Sequence, residues 1–483
     1  MGSVRLPRWV LVLIGAISVV RLIAAARIPL TPDETYYWTW SKHLDFAYTD
    51  HPPMVAWLIA LTAPLGNAPA LVRLPFVLCE AGAALALGET ALALSGSAVA
   101  GVAALLAFAL VPQTKLAMGE ALPDGPYVLC WSLALLLAVR TASRPSSRTA
   151  VLLGLALGGA VLSRFFGWAL AGGIAAYALA PQRRPALRAF AGAFPIALAL
   201  YVPFLLADAS HGWQNIAFTL QRRHDFHGVT AAAFGGTAAV RFIVYAALFW
   251  ILGFFVALRP RLGLVAWTAL PFPTVLALLA PFDPVEAYWL LGPFASLCVG
   301  IGIAIARLSL TWRRVLGTIA ALPAAATMAA VLFAALDAPV QAAALHALGD
   351  GAKGPLYNSV YMFRPLAEDV RRMTTARSAT AMTDRLEIAA ELRYYDTPSV
   401  LIGTAPQVEQ WNRWYDPAIA PAPRALIVTY APLQSDAELA ARVHRAYANV
   451  EPSVAREFDF AGTAAGTFYF TWCDGPRTGS ARP

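Results

Sequence analysis

Residues 9–26 read WVLVLIGAISVVRLIAAA, an apolar run in which Arg21 is the one charged residue. A helix needs about 20 mainly apolar residues to cross the hydrocarbon core of a bilayer. Segment 52–65 is apolar but short, and longer runs recur along the chain at 71–94, 97–113, 122–140, 149–163, 166–180, 188–207, 236–257, 262–280, 288–306 and 315–336. The sequence therefore predicts a polytopic membrane protein with about 11 transmembrane helices.

The composition supports the same conclusion and separates a C-terminal tail. The chain has 483 residues, of which 59% are hydrophobic and 13% charged, with a mean hydropathy of +0.59. Soluble domains have about 25% charged residues, so a water-soluble globule is excluded. The tail contains strand-like runs at Ala425–Tyr430 and Thr467–Trp472 between turn residues. We expect a mainly α-helical membrane domain over 1–336 and a small α/β domain over 337–483.

The basic residues indicate the orientation of the chain in the membrane. The net charge is +8, but the arginines form short clusters between apolar runs, so a nucleic-acid partner is not expected. Cytoplasmic loops are enriched in Lys and Arg. Alternate loops carry such clusters: Arg140, Arg144 and Arg148; Arg183, Arg184 and Arg188; Arg259 and Arg261; Arg307, Arg313 and Arg314. We therefore predict a cytoplasmic N-terminus and a periplasmic C-terminal domain.

The first outer segment, residues 27–53, concentrates polar and aromatic residues. The stretch Thr31-Pro-Asp-Glu-Thr-Tyr-Tyr-Trp-Thr-Trp holds two acids and four aromatic residues, and Tyr48-Thr-Asp-His-Pro-Pro-Met follows it closely. One interpretation is that Asp33 and Glu34 cap an interfacial helix whose aromatic residues lie at the membrane surface. The other is that the two acids perform chemistry at this surface.

This segment resembles the first outer loop of the bacterial branch of the protein O-mannosyltransferase and aminoarabinose-transferase superfamily. In that loop Asp-Glu is followed by aromatic residues and then by Asp-His/Lys-Pro-Pro. The resemblance continues over nearly the whole chain through Arg73-Leu-Pro, Leu122-Pro-Asp124, Leu162-Ser-Arg164-Phe, Phe218-Thr-Leu-Gln-Arg222, Glu286-Ala-Tyr-Trp289, Thr383-Asp-Arg and Leu392-Arg-Tyr-Tyr. It implies the type C glycosyltransferase fold in the bacterial inner membrane.

The resemblance also implies the reaction and its partners. The donor would be a monosaccharide linked to polyprenyl phosphate, and transfer would occur with inversion on the periplasmic face. The acceptor would be a glycolipid or glycan: lipid A, core oligosaccharide, a polysaccharide or another lipid. Membrane lipids would surround the protein. Aminoarabinose transferases commonly carry an arginine where this chain has Tyr36, so the identity of the sugar stays open.

The resemblance assigns roles residue by residue. Asp33 matches the catalytic carboxylate and would act as general base, taking a proton from the acceptor hydroxyl, with Glu34 beside it in the catalytic site. Asp50 would lie near a divalent metal ion, the one cofactor considered. The predicted ligands of the donor phosphate are His51, Arg164, Arg222 and Arg223. Further substrate contacts are predicted at Tyr36, Tyr37, Tyr48, Asp124, Glu286, Tyr288 and Trp289.

Two other classes of protein compete with a glycosyltransferase. A transporter or flippase of a lipid-linked sugar would place ionisable residues within its spans, and Arg21 and Glu80 are so placed. Transporters are often built from duplicated halves, and no internal repeat is visible in this sequence. A non-catalytic assembly factor would not need acids, histidine and arginines together on one face. The sequence therefore favours the enzyme.

Overall fold

A computed structural model of the chain describes residues 5–110, 119–221, 263–279, 287–337, 340, 360–403, 406–415, 422–460 and 463–477. The predicted span 236–257 and the predicted site residues Arg222, Arg223 and Glu286 lie outside these residues. By the contacts among its residues the chain divides into two compact units. The first comprises Met1–Ala24, Asp45–Thr62 and Arg73–Val331, and the second comprises Ala25–Leu44, Ala63–Val72 and Leu332–Pro483. The predicted domain boundary at residue 336 stays a prediction.

The described residues contain helices both in the apolar runs of the sequence and in its polar segments. They are α1 Trp9–Arg27, α2 Pro32–Ser41, α3 Met54–Thr62, α4 Pro69–Ser95, α5 Ala98–Ala109, α6 Asp124–Ser143, α7 Ser147–Ser163, α8 Gly167–Ala178, α9 Leu187–Ser210, α10 Gln214–Gln221, α11 Gly263–Ala269, α12 Pro271–Leu279, α13 Leu291–Ile305, α14 Leu310–Ala334, α15 Phe363–Arg377, α16 Leu386–Tyr394, α17 Pro406–Tyr415 and α18 Ala437–Ala446. Short 3₁₀ turns occupy Ala63–Leu65, Pro181–Ala186, Ala287–Leu290 and Leu433–Ser435.

Several of these helices have the length and composition of membrane spans. In the described part of the chain six segments qualify: Trp9–Arg27, Pro69–Ser95, Asp124–Ser143, Pro181–Ser210, Tyr288–Ile305 and Leu310–Phe333. Shorter apolar helices occupy Met54–Leu65, Ala98–Ala109, Ser147–Ser163 and Gly263–Leu278. The predicted mainly α-helical, polytopic membrane class is confirmed, whereas the predicted number of about 11 spans stays a prediction.

One predicted span differs in detail from the structure. The run 262–280 forms two helices, α11 and α12, that meet at Leu270. Pro271 and Pro273 follow directly, and proline has no backbone N–H to donate to the preceding turn. The two prolines therefore explain the break in the helix, which the apolar pattern alone does not predict.

A buried ion pair joins three helices of the first unit. Arg21 Nη1 of α1 donates to Glu80 Oε2 of α4 at 2.8 Å, and both side chains are less than a tenth exposed. Arg21 Nη2 donates to the carbonyl of Ala109, the last residue of α5, at 3.1 Å. Arg21 and Glu80 therefore bind each other, and Arg21 also binds the end of α5.

We expect Arg21→Met to lower the free energy of unfolding by about 3–5 kcal/mol, because Glu80 would be left as a buried charge without its partner. Arg27→Met is the matched control on the same helix. Arg27 pairs with Asp337 at 3.0 Å, but both side chains are mostly exposed, and such pairs contribute at most about 1 kcal/mol. Thermal unfolding in detergent measures both variants. Equal losses of stability in the two would contradict the expectation.

The second unit contains a mixed β-sheet. Its strands are β1 Thr380–Thr383, β2 Ser399–Leu401, β3 Arg424–Thr429, β4 Tyr447–Val450, β5 Val454–Phe460 and β6 Thr463–Pro476. The order is β2-β1-β3-β6-β4, with β5 also pairing with β6. The pairs of β1 with β2 and β3 are parallel, and the three pairs of β6 are antiparallel. The predicted strands at 425–430 and 467–472 are thus parts of β3 and β6.

Helices cover both faces of this sheet. Along β3, Leu426 and Val428 pack with α15 and α16, whereas Ala425 and Ile427 pack with α18 on the other face. This alternation is expected because successive side chains of a strand point to opposite faces. The small C-terminal α/β region predicted from the sequence is confirmed.

Helix α2 belongs to the same unit as the sheet. It packs against α16, where the ring of Trp38 meets that of Tyr394 edge-on at 5.2 Å. Trp38 Nε1 donates to the Asn67 side-chain oxygen at 3.0 Å, and the Tyr394 hydroxyl donates to the Asn67 carbonyl at 2.7 Å. His43, just after α2, stacks on Trp414 of α17 at 4.9 Å. The first half of the first outer segment and the tail are therefore parts of one hydrophobic and hydrogen-bonded assembly.

Candidate functional site

Helix α2 carries the two acids of the first outer segment. Its N-cap is Thr31, whose hydroxyl accepts from the Glu34 N–H at 3.4 Å, while Glu34 Oε2 accepts from the Thr31 N–H at 2.9 Å. This reciprocal pair is a capping box. Glu34 is fully buried and so has a structural function in the cap. Asp33 is not the cap, and it lies exposed in the first turn, where the helix dipole favours a negative charge.

The aromatic residues after these acids pack on one another. Tyr36 and Tyr37 are less than a tenth exposed, and their rings lie 4.9 and 5.1 Å from that of Trp40. Burial of this kind makes them part of the hydrophobic support of α2. Their predicted contact with the sugar stays a prediction.

The second half of the first outer segment belongs to the first unit. Tyr48 is buried, and its hydroxyl oxygen accepts from the Asp45 N–H at 2.9 Å. Trp57 Nε1 of α3 donates to the Asp45 carbonyl at 3.0 Å. Burial raises the pKa of Tyr48, so its hydroxyl stays protonated. Asp50 and His51 follow and are half-buried. Tyr48 therefore anchors the segment that carries them.

Two residues that the sequence did not single out hold this segment in place. The Asn215 side-chain nitrogen donates to the Tyr48 carbonyl. Asp208, 1% exposed at the end of α9, accepts from the N–H groups of Asn215 at 2.8 Å and Ile216 at 3.3 Å. Asp208 thus caps α10 and fixes Asn215 against the first outer segment. An acid near the end of an apolar run was visible in the sequence, but the residue that it positions was not.

Two residues of the predicted site, Asp124 and Arg164, form an ion pair between two helix ends. Arg164 Nη2 donates to Asp124 Oδ2 at 2.7 Å, across 40 residues of sequence, and both side chains are less than a tenth exposed. Asp124 begins α6 and Arg164 follows the last residue of α7. A carboxylate at a helix N-terminus and a cation at a helix C-terminus are each stabilised by the helix dipole. The pair is therefore favoured by its position as well as by its contact.

Tyr288 completes this cluster. The guanidinium carbon of Arg164 lies 5.3 Å from the centre of the Tyr288 ring, within the range of a cation–π contact. Trp289 packs instead against Phe166, with ring centres 5.3 Å apart. Among the described residues the second oxygen of Asp124, Oδ1, is buried and has no hydrogen-bond partner. The structure therefore brings together Asp124, Arg164 and Tyr288, with one carboxylate oxygen left to accept a further donor.

The first unit contains further buried charged residues. Glu120 is 8% exposed and Arg73 is fully buried. Arg73 belongs to the Arg73-Leu-Pro motif, whereas Glu120 lies in none of the motifs that carry the resemblance. A lone acid near the start of an apolar run gives no signal that it will be buried.

The described residues contain no group of three His, Cys, Asp or Glu side chains that could hold a metal ion. Mg²⁺ is commonly bound by one or two carboxylates, with water and substrate phosphate oxygens completing its shell. Asp50 fits that role as a single ligand. The divalent ion stays a prediction, and no step below depends on it.

Comparison with known proteins now becomes informative. The sequence profile of the family described as dolichyl-phosphate-mannose-protein mannosyltransferase matches residues 50–206. This range contains Asp50, His51, Asp124 and Arg164. The lipid A galacturonosyltransferase RgtD of Rhizobium johnstonii is 27% identical over 297 residues, which cover 58% of this chain and 61% of that protein. The match thus spans less than two thirds of the rhizobial protein.

The solved structures extend the likeness to the whole chain. ArnT from Cupriavidus metallidurans in the apo state aligns with a TM-score of 0.64 at 16% identity, covering 97% of this chain and 99% of that one. The same protein bound to undecaprenyl phosphate aligns with a TM-score of 0.61 over equal shares. The chain therefore has the type C fold that these membrane glycosyltransferases share.

The structural likeness confirms the type C fold that the resemblance of the first outer segment implied. At 16% identity, the likeness to ArnT establishes the fold alone. The type C fold accounts for the combination of apolar helices in the first unit with a small sheet in the second.

Proposed function

We propose that the protein is an inverting glycosyltransferase that moves a monosaccharide from polyprenyl phosphate to an acceptor of the bacterial cell envelope. The observation that carries the proposal is the buried Asp124–Arg164 pair with Tyr288 over the guanidinium group. Buried charges in a membrane protein are costly and usually mark function. A guanidinium is the side chain best suited to phosphate, because it is always charged and offers several donors in one plane.

The chemistry needs two kinds of groups. The acceptor hydroxyl attacks the anomeric carbon on the face opposite the phosphate, the carbon–oxygen bond to the phosphate breaks, and polyprenyl phosphate leaves. A carboxylate must take the proton of the attacking hydroxyl, and we assign this role to the exposed Asp33. Arg164 would stabilise the negative charge that develops on the leaving phosphate, held in place by Asp124. His51 is proposed to assist at the phosphate, and Asp50 is the proposed metal ligand.

The acceptor class follows from the comparison by sequence. RgtD is a lipid A galacturonosyltransferase, and ArnT has been solved with undecaprenyl phosphate. These two relatives support an undecaprenyl-phosphate-linked sugar as the donor and a glycolipid, lipid A above all, as the acceptor. Arg222, Arg223, Glu286 and Trp289 are proposed to extend the phosphate and sugar pocket.

The test is transfer by the purified full chain in detergent, with a radiolabelled sugar on undecaprenyl phosphate as donor and lipid A as acceptor. Transfer is expected from the lipid-phosphate donor and not from the nucleotide sugar. In parallel, mass spectrometry of envelope glycolipids should show the loss of a single sugar when the gene is deleted. An unchanged glycolipid profile together with no transfer from any lipid-phosphate sugar would refute the proposal.

The orientation is proposed from the arginine clusters: the N-terminus in the cytoplasm and the C-terminal domain in the periplasm of the inner membrane. A reporter enzyme that is active only outside the cytoplasm should work when fused after Asp350 and fail when fused after Arg148. The fusion after Arg148 serves as the control, since it lies in a predicted cytoplasmic loop. The reverse pattern would place the proposed catalytic groups on the wrong face.

The transporter alternative has lost its main support. It depended on Arg21 and Glu80 as charges within the spans, and these residues pair with each other at 2.8 Å. Such a pair holds α1, α4 and α5 together, a structural function that accounts for both charges. We therefore retain the enzyme as the proposed function.

A further inference from the structure

The second unit contains a buried acid that the proposed reaction does not use. Glu391 lies on α16, the helix that packs against α2, and it is fully buried. Within the residues that the structure describes, neither of its carboxyl oxygens has a hydrogen-bond partner. An ionised carboxylate in such a place would be strongly unfavourable. Glu391 therefore needs either a positive partner or a proton.

The neighbours of Glu391 on α2 bring no positive charge to its carboxyl group. The Thr35 hydroxyl, which lies beside the Glu391 carboxyl group, donates its one hydrogen to the Pro32 carbonyl at 3.1 Å. Glu34, the nearby charged side chain, already accepts from the Thr31 N–H. A hydroxyl oxygen whose hydrogen is engaged and a carboxylate both offer lone pairs. While the Thr35 hydrogen stays on the Pro32 carbonyl, a hydrogen bond between α16 and α2 at this point needs a proton on Glu391.

The other elements packed against α16 supply no compensating charge. Strands β1 and β2 contain no titratable residue. Helix α15 turns its apolar face inward, with Leu366 and Val370 fully buried, while Arg364 and Arg371 are exposed. Near the end of β3, Tyr430 has its pKa raised by burial and further by the charges of Glu387 and Glu391. The surroundings of Glu391 thus combine apolar groups with acidic ones.

We propose that Glu391 is a positioning residue that holds α2, at the turn carrying Asp33, by donating a carboxylic acid hydrogen bond to that helix. When Glu391 loses this proton, its negative charge lies beside Glu34 and the contact between α16 and α2 weakens. The part of this inference that concerns activity rests on the proposed function; the part that concerns stability does not.

The electrostatic environment of Glu391 also favours its protonated form. Burial raises the pKa of Glu391 well above its usual range, the Thr35 hydroxyl lowers it, and the charge of Glu34 raises it again. A carboxyl group whose pKa is higher in the folded than in the unfolded state stabilises the fold below its unfolded pKa. That contribution is lost as the pH rises through the folded pKa. The contact between α2 and α16 should therefore be more stable at acidic than at alkaline pH.

The test compares Glu391→Gln with the native chain over a range of pH. Glutamine keeps the shape and a hydrogen-bond donor and cannot ionise. We expect equal thermal midpoints near about pH 5 and a higher midpoint for Glu391→Gln near about pH 9, by at least roughly 2–4 °C. Glu387→Gln is the matched control, because Glu387 lies one turn earlier on α16 and is exposed. It should follow the native chain at every pH.

The enzymatic readout is the alkaline limb of turnover. The native chain should lose kcat at a lower pH than Glu391→Gln, because α2 carries the proposed base. A midpoint difference that does not change with pH, or a lower midpoint for Glu391→Gln throughout, would overturn the inference. If the pH-dependent difference in stability is found while neither protein transfers sugar, the positioning role stands and the proposed function fails.

Discussion

Asp33→Asn should leave a folded, membrane-inserted protein whose sugar transfer is reduced by about a hundredfold or more, because general-base catalysis typically contributes roughly 10²–10⁴. The substitution removes one charge and almost no volume. Thr31 supplies the N-cap of α2, so asparagine at position 33 does not disturb the capping box. The cost to the helix is limited to a dipole interaction of about 0.3–1 kcal/mol. Turnover by the purified protein measures the effect.

The control for Asp33→Asn is Glu34→Gln. Glu34 is fully buried and accepts from the Thr31 N–H, so its substitution should affect the thermal midpoint more than Asp33→Asn does. Donor binding and size-exclusion behaviour are checked for both variants. If Asp33→Asn retains near-native turnover, Asp33 is not the base and the proton acceptor must lie elsewhere.

Arg164→Met should reduce turnover by about 10²–10³, the effect typical of removing one donor that stabilises developing charge. Arg164→Lys keeps the charge and should retain more activity, but less than the native chain, because lysine lacks the planar set of donors. If the contact strengthens as the phosphate leaves, the substitution should lower kcat and change the affinity for the donor little. Steady-state kinetics with a lipid-phosphate donor measure both variants.

Loss of Arg164 also leaves Asp124 buried without its partner, so stability must be separated from chemistry. The double variant Arg164→Met with Asp124→Asn removes both charges and should recover much of the lost stability while staying inactive. Arg21→Met breaks a similar buried pair in the same unit, and its folded fraction should still turn over. Native turnover in Arg164→Met would show that Arg164 has a structural function only.

The sequence predicted the helices and strands of this protein better than it predicted which residues contact one another. Apolar runs located the spans because the bilayer sets their length, and alternating strands located β3 and β6. The pattern Thr31-Pro-Asp-Glu also contains the spacing of a capping box. The sequence analysis considered Asp33 and Glu34 as caps, but the cap is Thr31 with Glu34, so only one of the two acids has a structural function there.

Other features could not be read from local sequence because they depend on contacts between distant segments. Motifs selected Asp124 and Arg164 separately, but the ion pair between them joins the ends of two helices. The burial of Glu391 arises only when α16 packs against α2. Asn215 is one of many polar residues in its region, and only the folded chain brings it to the Tyr48 carbonyl. In each case the role of the residue depends on tertiary contacts that the local sequence does not show.

The packing of Trp38 on Tyr394 and of His43 on Trp414 has a consequence for biosynthesis. Ribosomes add about 5–20 residues per second, so α2 emerges tens of seconds before its partners α16 and α17 exist. During this interval Tyr36, Tyr37 and Trp40 lack the C-terminal tail that completes their unit. Docking of α2 on α16 and α17 therefore has to wait for the C-terminal part of the chain, although the residues of α2 are among the first to be synthesised.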